Sequence, residues 1–210
     1  MSAARLPVLV GRYISPAVRR VAACMVFQEV AFEHRSLSTA DPAEFAEIRR
    51  IAPLGRVPAL VLPDGEVLVE SSAILDHVDD TVPANRALLP HHGPPRRKAL
   101  QRLALATGVC DKLVAIGYEM TRRPADKRYQ PWIDQCGSQA LGGLTALEAA
   151  MGNAPWVAGD CITQGDFAAA VALDLAAKVT PVALEAVALP GLRRLRSSPE
   201  ISQVLSRLLP

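Results

Sequence analysis

Hydrophobic positions repeat at two different periods along this chain, and the change falls near residue 84. Pro7-Val8-Leu9-Val10 is a short β-rich run closed by Gly11, the pattern of a buried strand. Beyond Ser15-Pro16, Val18, Val21, Ala22, Met25 and Val26 recur at helical spacing, which predicts an amphipathic helix reaching about Glu29. Phe32–Leu37 lacks clean alternation, but its place after that helix predicts a second strand and a βαβ unit with a right-handed crossover. Ala43–Ile51 is compatible with a short helix or with an irregular turn ahead of Pro53-Leu54-Gly55. Ala59–Leu62 and Val67–Val69 flank Pro63-Asp64-Gly65-Glu66, a hairpin with turn residues at its apex. Ser71-Ser72 then opens a helix that ends near Thr81-Val82-Pro83.

The order β-α-β, connection, β-β-α is a thioredoxin-like layout and predicts a first domain over 1–83. Residues 84–95 are proline-rich and aperiodic, the pattern of a linker. From 96 to 210 everything reads helical: Arg96–Met120, Tyr129–Met151, Gly165–Val179, and Leu192–Leu209 with a break at Ser198-Pro199. Leu100, Leu103, Ala106, Cys110, Leu113 and Gly117 form a stripe at steps of three and four. Thr163 and Asp166 have the spacing of a capping box, with Ile162 and Phe167 placed as its hydrophobic staple. The expected fold class is therefore α/β plus all-α: a thioredoxin-like amino-terminal domain followed by a helical bundle.

Charge and cysteine content narrow the function classes. A net charge of +2 with arginine pairs scattered at 19–20, 49–50, 96–97 and 193–194 points away from nucleic acid and toward solvated helix faces. Cys24, Cys110, Cys136 and Cys161 share no short spacing, which argues against a zinc knuckle and a dithiol redox pair. The histidines offer no ligand pair, and no metal is expected. The amino terminus does not resemble a signal peptide, and no apolar run has membrane-spanning length, so a cytoplasmic setting is expected.

Three places carry candidate chemistry, each with a plain structural reading beside it. Ser15 before Pro16 is an ordinary N-cap, yet a hydroxyl beside unpaired helix N–H groups also stabilises an anion such as a thiolate. Val57-Pro58 is a strand start, or, if cis, a step that turns the Val57 N–H and C=O out to pair with an extended peptide. Ser71 is a natural N-cap with Glu70 at the favourable dipole end. The same pair suits an amino-acid head, Ser71 taking the carboxylate and Glu70 the ammonium. Tyr13 is a rival to Ser15 as activating hydroxyl.

SPAVRR, GRVPAL and LVESSAI, in this order, resemble the cytosolic glutathione transferases, specifically their serine-type bacterial branch. TQGDF and the element order extend the likeness over nearly the whole chain. The resemblance implies a homodimer with glutathione as co-substrate, a cis Pro58, and a helical domain supplying a pocket for a small hydrophobic electrophile. It assigns thiol activation to Ser15, the cysteinyl backbone to Val57, the γ-glutamyl end to Glu70 and Ser71, and the glycyl carboxylate to Arg56. Cys110, Val114, Tyr118 and Met120 are the candidate pocket residues. Ala17 replaces the aromatic that often follows Ser-Pro, and Gly165 stands where alanine is usual. A cysteine is absent at Ser15 and there is no Ser-Ser-Cys start, so glutaredoxin-like and maleylacetoacetate-isomerase chemistry are less expected than conjugation in detoxification. Other glutathione-dependent isomerases or dehalogenases, and a non-catalytic module used for protein association, remain the competing readings.

Overall fold

The computed structural model describes residues 5–209. The chain divides into two units: one runs to Leu88 and takes back the segment from Gln203 onward, and the other is Leu89–Ser202.

In the first unit, β1 (Val8–Val10), β2 (Glu33–Arg35), β3 (Ala59–Val61) and β4 (Val67–Val69) form one sheet in the order β2-β1-β3-β4. β1 runs parallel to β2 and antiparallel to β3, and β3 pairs antiparallel with β4. Alternation along the strands sends Val8, Val10, Ala59, Val61 and Val67 to one face, where they join Ile48 and Ile51 of α2 (Pro42–Ile51). Leu9 and Leu60 are buried on the opposite face, where α1 (Pro16–Phe27) and α3 (Ser71–Thr81) pack on the sheet and on each other. The open choice for 43–51 resolves as helix. Asp41 caps it by accepting from the Ala43 and Glu44 N–H groups at 2.9 Å, and Pro42 supplies the first helical residue. Between β3 and β4, Gly65 takes φ +95° and Asp64 Oδ1 accepts from the Glu66 N–H at 3.0 Å, which closes the expected hairpin.

The Arg19-Arg20 pair, expected on a solvated face, is instead buried, at 6% and 2% exposure. Arg19 Nε donates to the Leu208 carbonyl at 3.0 Å, so it holds the end of the chain against α1. At the far side of the unit, Asp79 accepts from Gln28 Nε2 (2.7 Å) and from the Leu88 N–H (2.9 Å), fixing the point where the unit ends.

The second unit is built on α4 (Gly93–Arg122), α5 (Gln130–Met151) and α6 (Gln164–Val179), with α4 packed on both of the others. α4 begins inside the segment expected as linker. α7 (Pro181–Glu185) is a short helix the periodicity does not predict; α8 (Pro190–Ser197) and α9 (Pro199–Ser206) flank the break at Ser198. The α6 capping box forms as expected between Thr163 and Asp166. The glycine at 165 has a packing reason, because a methyl there would lie 3.1 Å from Val157 Cγ2.

Glu148 of α5 caps α8 from a distance in sequence, accepting from the Gly191 N–H at 2.7 Å and the Leu192 N–H at 2.8 Å. Both donors lie in the first turn and have no intrahelical acceptor. Glu148→Ala is expected to destabilise the protein by about 1–3 kcal/mol, read from the midpoint of urea denaturation. An unchanged midpoint would show that water replaces the carboxylate at no cost.

Candidate active site

Register gathers the candidate residues of the first unit. Ala59 pairs with Val10 on one side and with Val69 on the other, so Gly11, Pro58 and Glu70, each one residue beyond, meet at the same end of the sheet. Two helices start from that end, α1 after β1 and α3 after β4. Their N-terminal N–H groups and positive dipole ends therefore converge on one region, a setting that favours a bound anion.

Gly11 makes the approach close. It sits at φ +122°, and a methyl there would lie 2.7 Å from both Val18 Cγ2 and Val57 Cβ. The loop after β1 is thus pressed between the first turn of α1 and the strand start at Val57. His34 Nε2 lies 2.7 Å from the Gly11 carbonyl, and its ring stacks on Tyr13 at 4.0 Å between centroids and 8° between planes. Burial raises the Tyr13 phenol above its ordinary pKa, so it stays neutral at physiological pH.

Ser15 is the N-cap of α1, in extended conformation, and its Oγ accepts from the Val18 N–H at a long 3.5 Å. Among the described residues that is the one hydrogen bond of the Oγ, so its proton is left for a further acceptor. The Val57–Pro58 peptide is cis. Among the described residues neither the N–H nor the carbonyl of Val57 is hydrogen-bonded, so both remain available to an extended peptide. Arg56, in the same loop, is exposed.

At the start of α3 the structure differs from the expected cap. Glu70, not Ser71, is the N-cap residue, with φ +71° and ψ 131°, and its side chain accepts from the Ser72 N–H at 3.0 Å. Ser71 becomes the first helical residue and is buried at 4% exposure. Its Oγ donates to Glu70 Oε1 at 2.8 Å and accepts from the Arg20 guanidinium at 2.6 Å. Burial pulls the Glu70 carboxyl upward, but the Ser72 and Ser71 donors and the Arg20 charge outweigh it and hold the pKa below the ordinary value. Glu70 is thus an anion at neutral pH beside a helix N-terminus. Arg20 is the residue that sequence reasoning missed, because its partners lie 51 residues away.

In the second unit a cavity of about 310 Å³ is lined by Ala115, Tyr118, Glu119, Arg122 and Arg123. Of the four residues named from the α4 stripe, Tyr118 lines it, and Cys110 is buried instead. Arg122 lies 4.2 Å over the Tyr118 ring, and Arg123 pairs with Glu119 at 2.9 Å. Among the described residues no group of three or more His, Cys, Asp or Glu could hold a metal ion.

Both halves of the chain match known families. Residues 9–86 match the glutathione S-transferase N-terminal domain, and residues 130–196 match the glutathione S-transferase C-terminal domain. The glutathione S-transferase GstA of Escherichia coli O157:H7 is 28% identical over 74% of this chain and 75% of its own. The maleylacetoacetate isomerase of Pseudomonas aeruginosa is 31% identical over 51% of this chain and 50% of its own. A glutathione S-transferase of Methylobacterium radiotolerans, solved in complex with glutathione sulfonate, superposes with a TM-score of 0.84 at 27% identity, covering 94% of this chain and 93% of that one. With a thioredoxin-like unit that collects two helix N-termini at one sheet end, a helical unit after it, and a family match in each, this chain belongs to the glutathione S-transferase family.

Proposed function

We propose that the sheet end formed by Gly11, Pro58 and Glu70 binds glutathione and activates its thiol for attack on a small hydrophobic electrophile. The observation that carries the reading is the shared register of Val10, Ala59 and Val69, which sets two helix starts and an unpaired backbone step side by side. In this reading the γ-glutamyl ammonium pairs with Glu70, and its carboxylate meets the Ser71 N–H and hydroxyl. The cysteinyl backbone pairs with Val57 beside cis-Pro58, and Arg56 faces the glycyl carboxylate. The sulfur then lies at Ser15.

The Ser15 O–H donates to the sulfur anion, and the dipole end of α1 adds to the stabilisation. The thiol proton leaves to solvent, sulfur forms a bond to the electrophilic carbon, and the leaving group departs with the electron pair of its own bond. Ser15 forms no covalent intermediate. In this reading Ser15 plays the part that the activating serine has in the serine-type members. The helical unit would supply the electrophile pocket, with Tyr118 as a lining residue, and likeness to the cytosolic members supports a homodimer working in detoxification in the cytoplasm.

Titration calorimetry with glutathione tests the reading. Saturable heat is expected, and Glu70→Gln should weaken binding by about tenfold or more through loss of the charged partner. No saturable heat with the unaltered protein would overturn the glutathione site and favour an association module.

A second reading, glutathione-dependent isomerisation, is favoured by the Pseudomonas aeruginosa isomerase relative. Conjugation consumes glutathione with each turnover, whereas isomerisation regenerates it. Assaying free thiol during turnover of an electrophile panel and of a cis-alkenoic diketo acid separates the two.

A further inference from the structure

We propose that Arg20 is a positioning residue for the α-carboxylate of the bound γ-glutamyl group, acting by forcing the Ser71 hydroxyl to serve as a donor. The inference rests on the glutathione reading of the site and deepens it.

Arg20 lies on α1, five residues beyond Ser15, and only 2% of it is exposed. Its Nη2 donates to Ser71 Oγ at 2.6 Å and reaches Ser72 Oγ at 3.5 Å. A guanidinium can only donate, so Ser71 Oγ must accept from it, and the single hydroxyl proton is left to point elsewhere. In the structure it points at Glu70 Oε1, 2.8 Å away. A buried cation beside a helix N-terminus is electrostatically disfavoured by the dipole, so its placement there requires a compensating negative charge. Glu70 supplies one such charge, and its pKa is held down partly by Arg20.

A ligand carrying both an ammonium and a carboxylate fits this chain of donors. As it enters, the Ser71 O–H turns from Glu70 to the incoming carboxylate, and Glu70 Oε1 is released to receive the ammonium. The Arg20 bond to Ser71 is kept throughout, occupying one of the two lone pairs on Ser71 Oγ while the hydroxyl proton turns to the carboxylate. The guanidinium charge also strengthens the hydroxyl as donor, since hydrogen bonds linked in a chain polarise one another. One helix thereby serves both ends of the tripeptide: Ser15 at its start for the sulfur, Arg20 a turn and a half later for the glutamyl head.

The test compares glutathione with γ-aminobutyryl-cysteinylglycine, which lacks the α-carboxylate, by titration against the full-length protein and against Arg20→Met and Arg20→Lys. Glutathione affinity is expected to fall about 10–100-fold in Arg20→Met, while affinity for the decarboxylated analogue changes little. Arg20→Lys, which keeps the charge and a donor, should recover part of the loss and serves if Arg20→Met fails to fold. An equal loss for both ligands, or a carboxylate preference retained in both variants, would reduce Arg20 to a tie between α1 and α3 and overturn the inference. If the unaltered protein itself bound no glutathione, the site reading would fall first, an outcome distinct from a protein that binds glutathione but is indifferent to Arg20.

Discussion

Ser15→Ala is expected to lower turnover with glutathione by about 10²–10³-fold while glutathione affinity stays within a few-fold. The asymmetry follows from where the hydroxyl acts. Glu70, Ser71 and Val57 hold the tripeptide, so their contacts survive the substitution, whereas the developing sulfur anion loses its donor. The Val18 N–H, which now gives a long 3.5 Å bond to Ser15 Oγ, remains at the helix start and limits the damage. The ultraviolet thiolate absorbance of bound glutathione, followed against pH, should shift to higher pH in the variant. Tyr13→Phe is the companion measurement. Tyr13 lies flat on His34 and burial raises its pKa, so removing its phenol hydroxyl should leave the thiolate profile in place. A large loss in Tyr13→Phe with none in Ser15→Ala would reverse the assignment.

The largest stability effect is expected at Asp166, which is fully buried at the start of α6. Its Oδ1 accepts from the Val157 N–H at 2.8 Å, and its Oδ2 accepts from the Thr163 N–H at 2.7 Å and the Thr163 hydroxyl at 2.9 Å. Asp166→Ala strands three buried donors at once and should cost about 3–5 kcal/mol, enough to consume much of the stability of an ordinary domain. The same residue carries a pH signature. Burial pushes its carboxyl from 3.8 up to about 6, against the pull of the Val157 and Thr163 donors. A folded carboxyl that holds its proton more tightly than the unfolded one favours the fold fully below about pH 4, and that contribution is lost as pH rises through about 6. The loss is about 3 kcal/mol, set by that gap. Asp166→Asn removes the titration while lowering overall stability, because its amide N–H₂ faces donors. Urea midpoints taken between pH 4 and 7 should show the fall in the unaltered protein and a flatter profile in Asp166→Asn. Parallel profiles would place the titration elsewhere.

Elements with strong local signals were legible in the sequence. The β1 run, the Pro63–Glu66 turn and the Thr163–Asp166 box each depend on neighbours within a few residues, and each forms. The choice left open at 43–51 carried its answer just upstream, in the cap Asp41 and the first-turn Pro42. What periodicity cannot see is a polar residue buried by a distant partner. Arg19 and Arg20 interrupt an apolar stripe and look solvated, yet Leu208 covers one and Ser71 holds the other. At the head of α3 the signal was misleading, since serine is the preferred cap. Glu70 takes that position at a positive φ because its carboxylate has both the Ser72 N–H and the Ser71 hydroxyl to accept from, in reach of Arg20.

The return of the segment from Gln203 to the first unit has a topological consequence. The helical unit, Leu89–Ser202, is an insertion in the sequence of the first unit, which holds its own residues on either side of that insertion, Leu88 through Asp79 and Leu208 through Arg19. A fragment stopping at residue 88 would lack the strand of chain that Arg19 clasps and would expose a guanidinium built to be covered. Shortening the tail by a few residues removes a piece of the first unit.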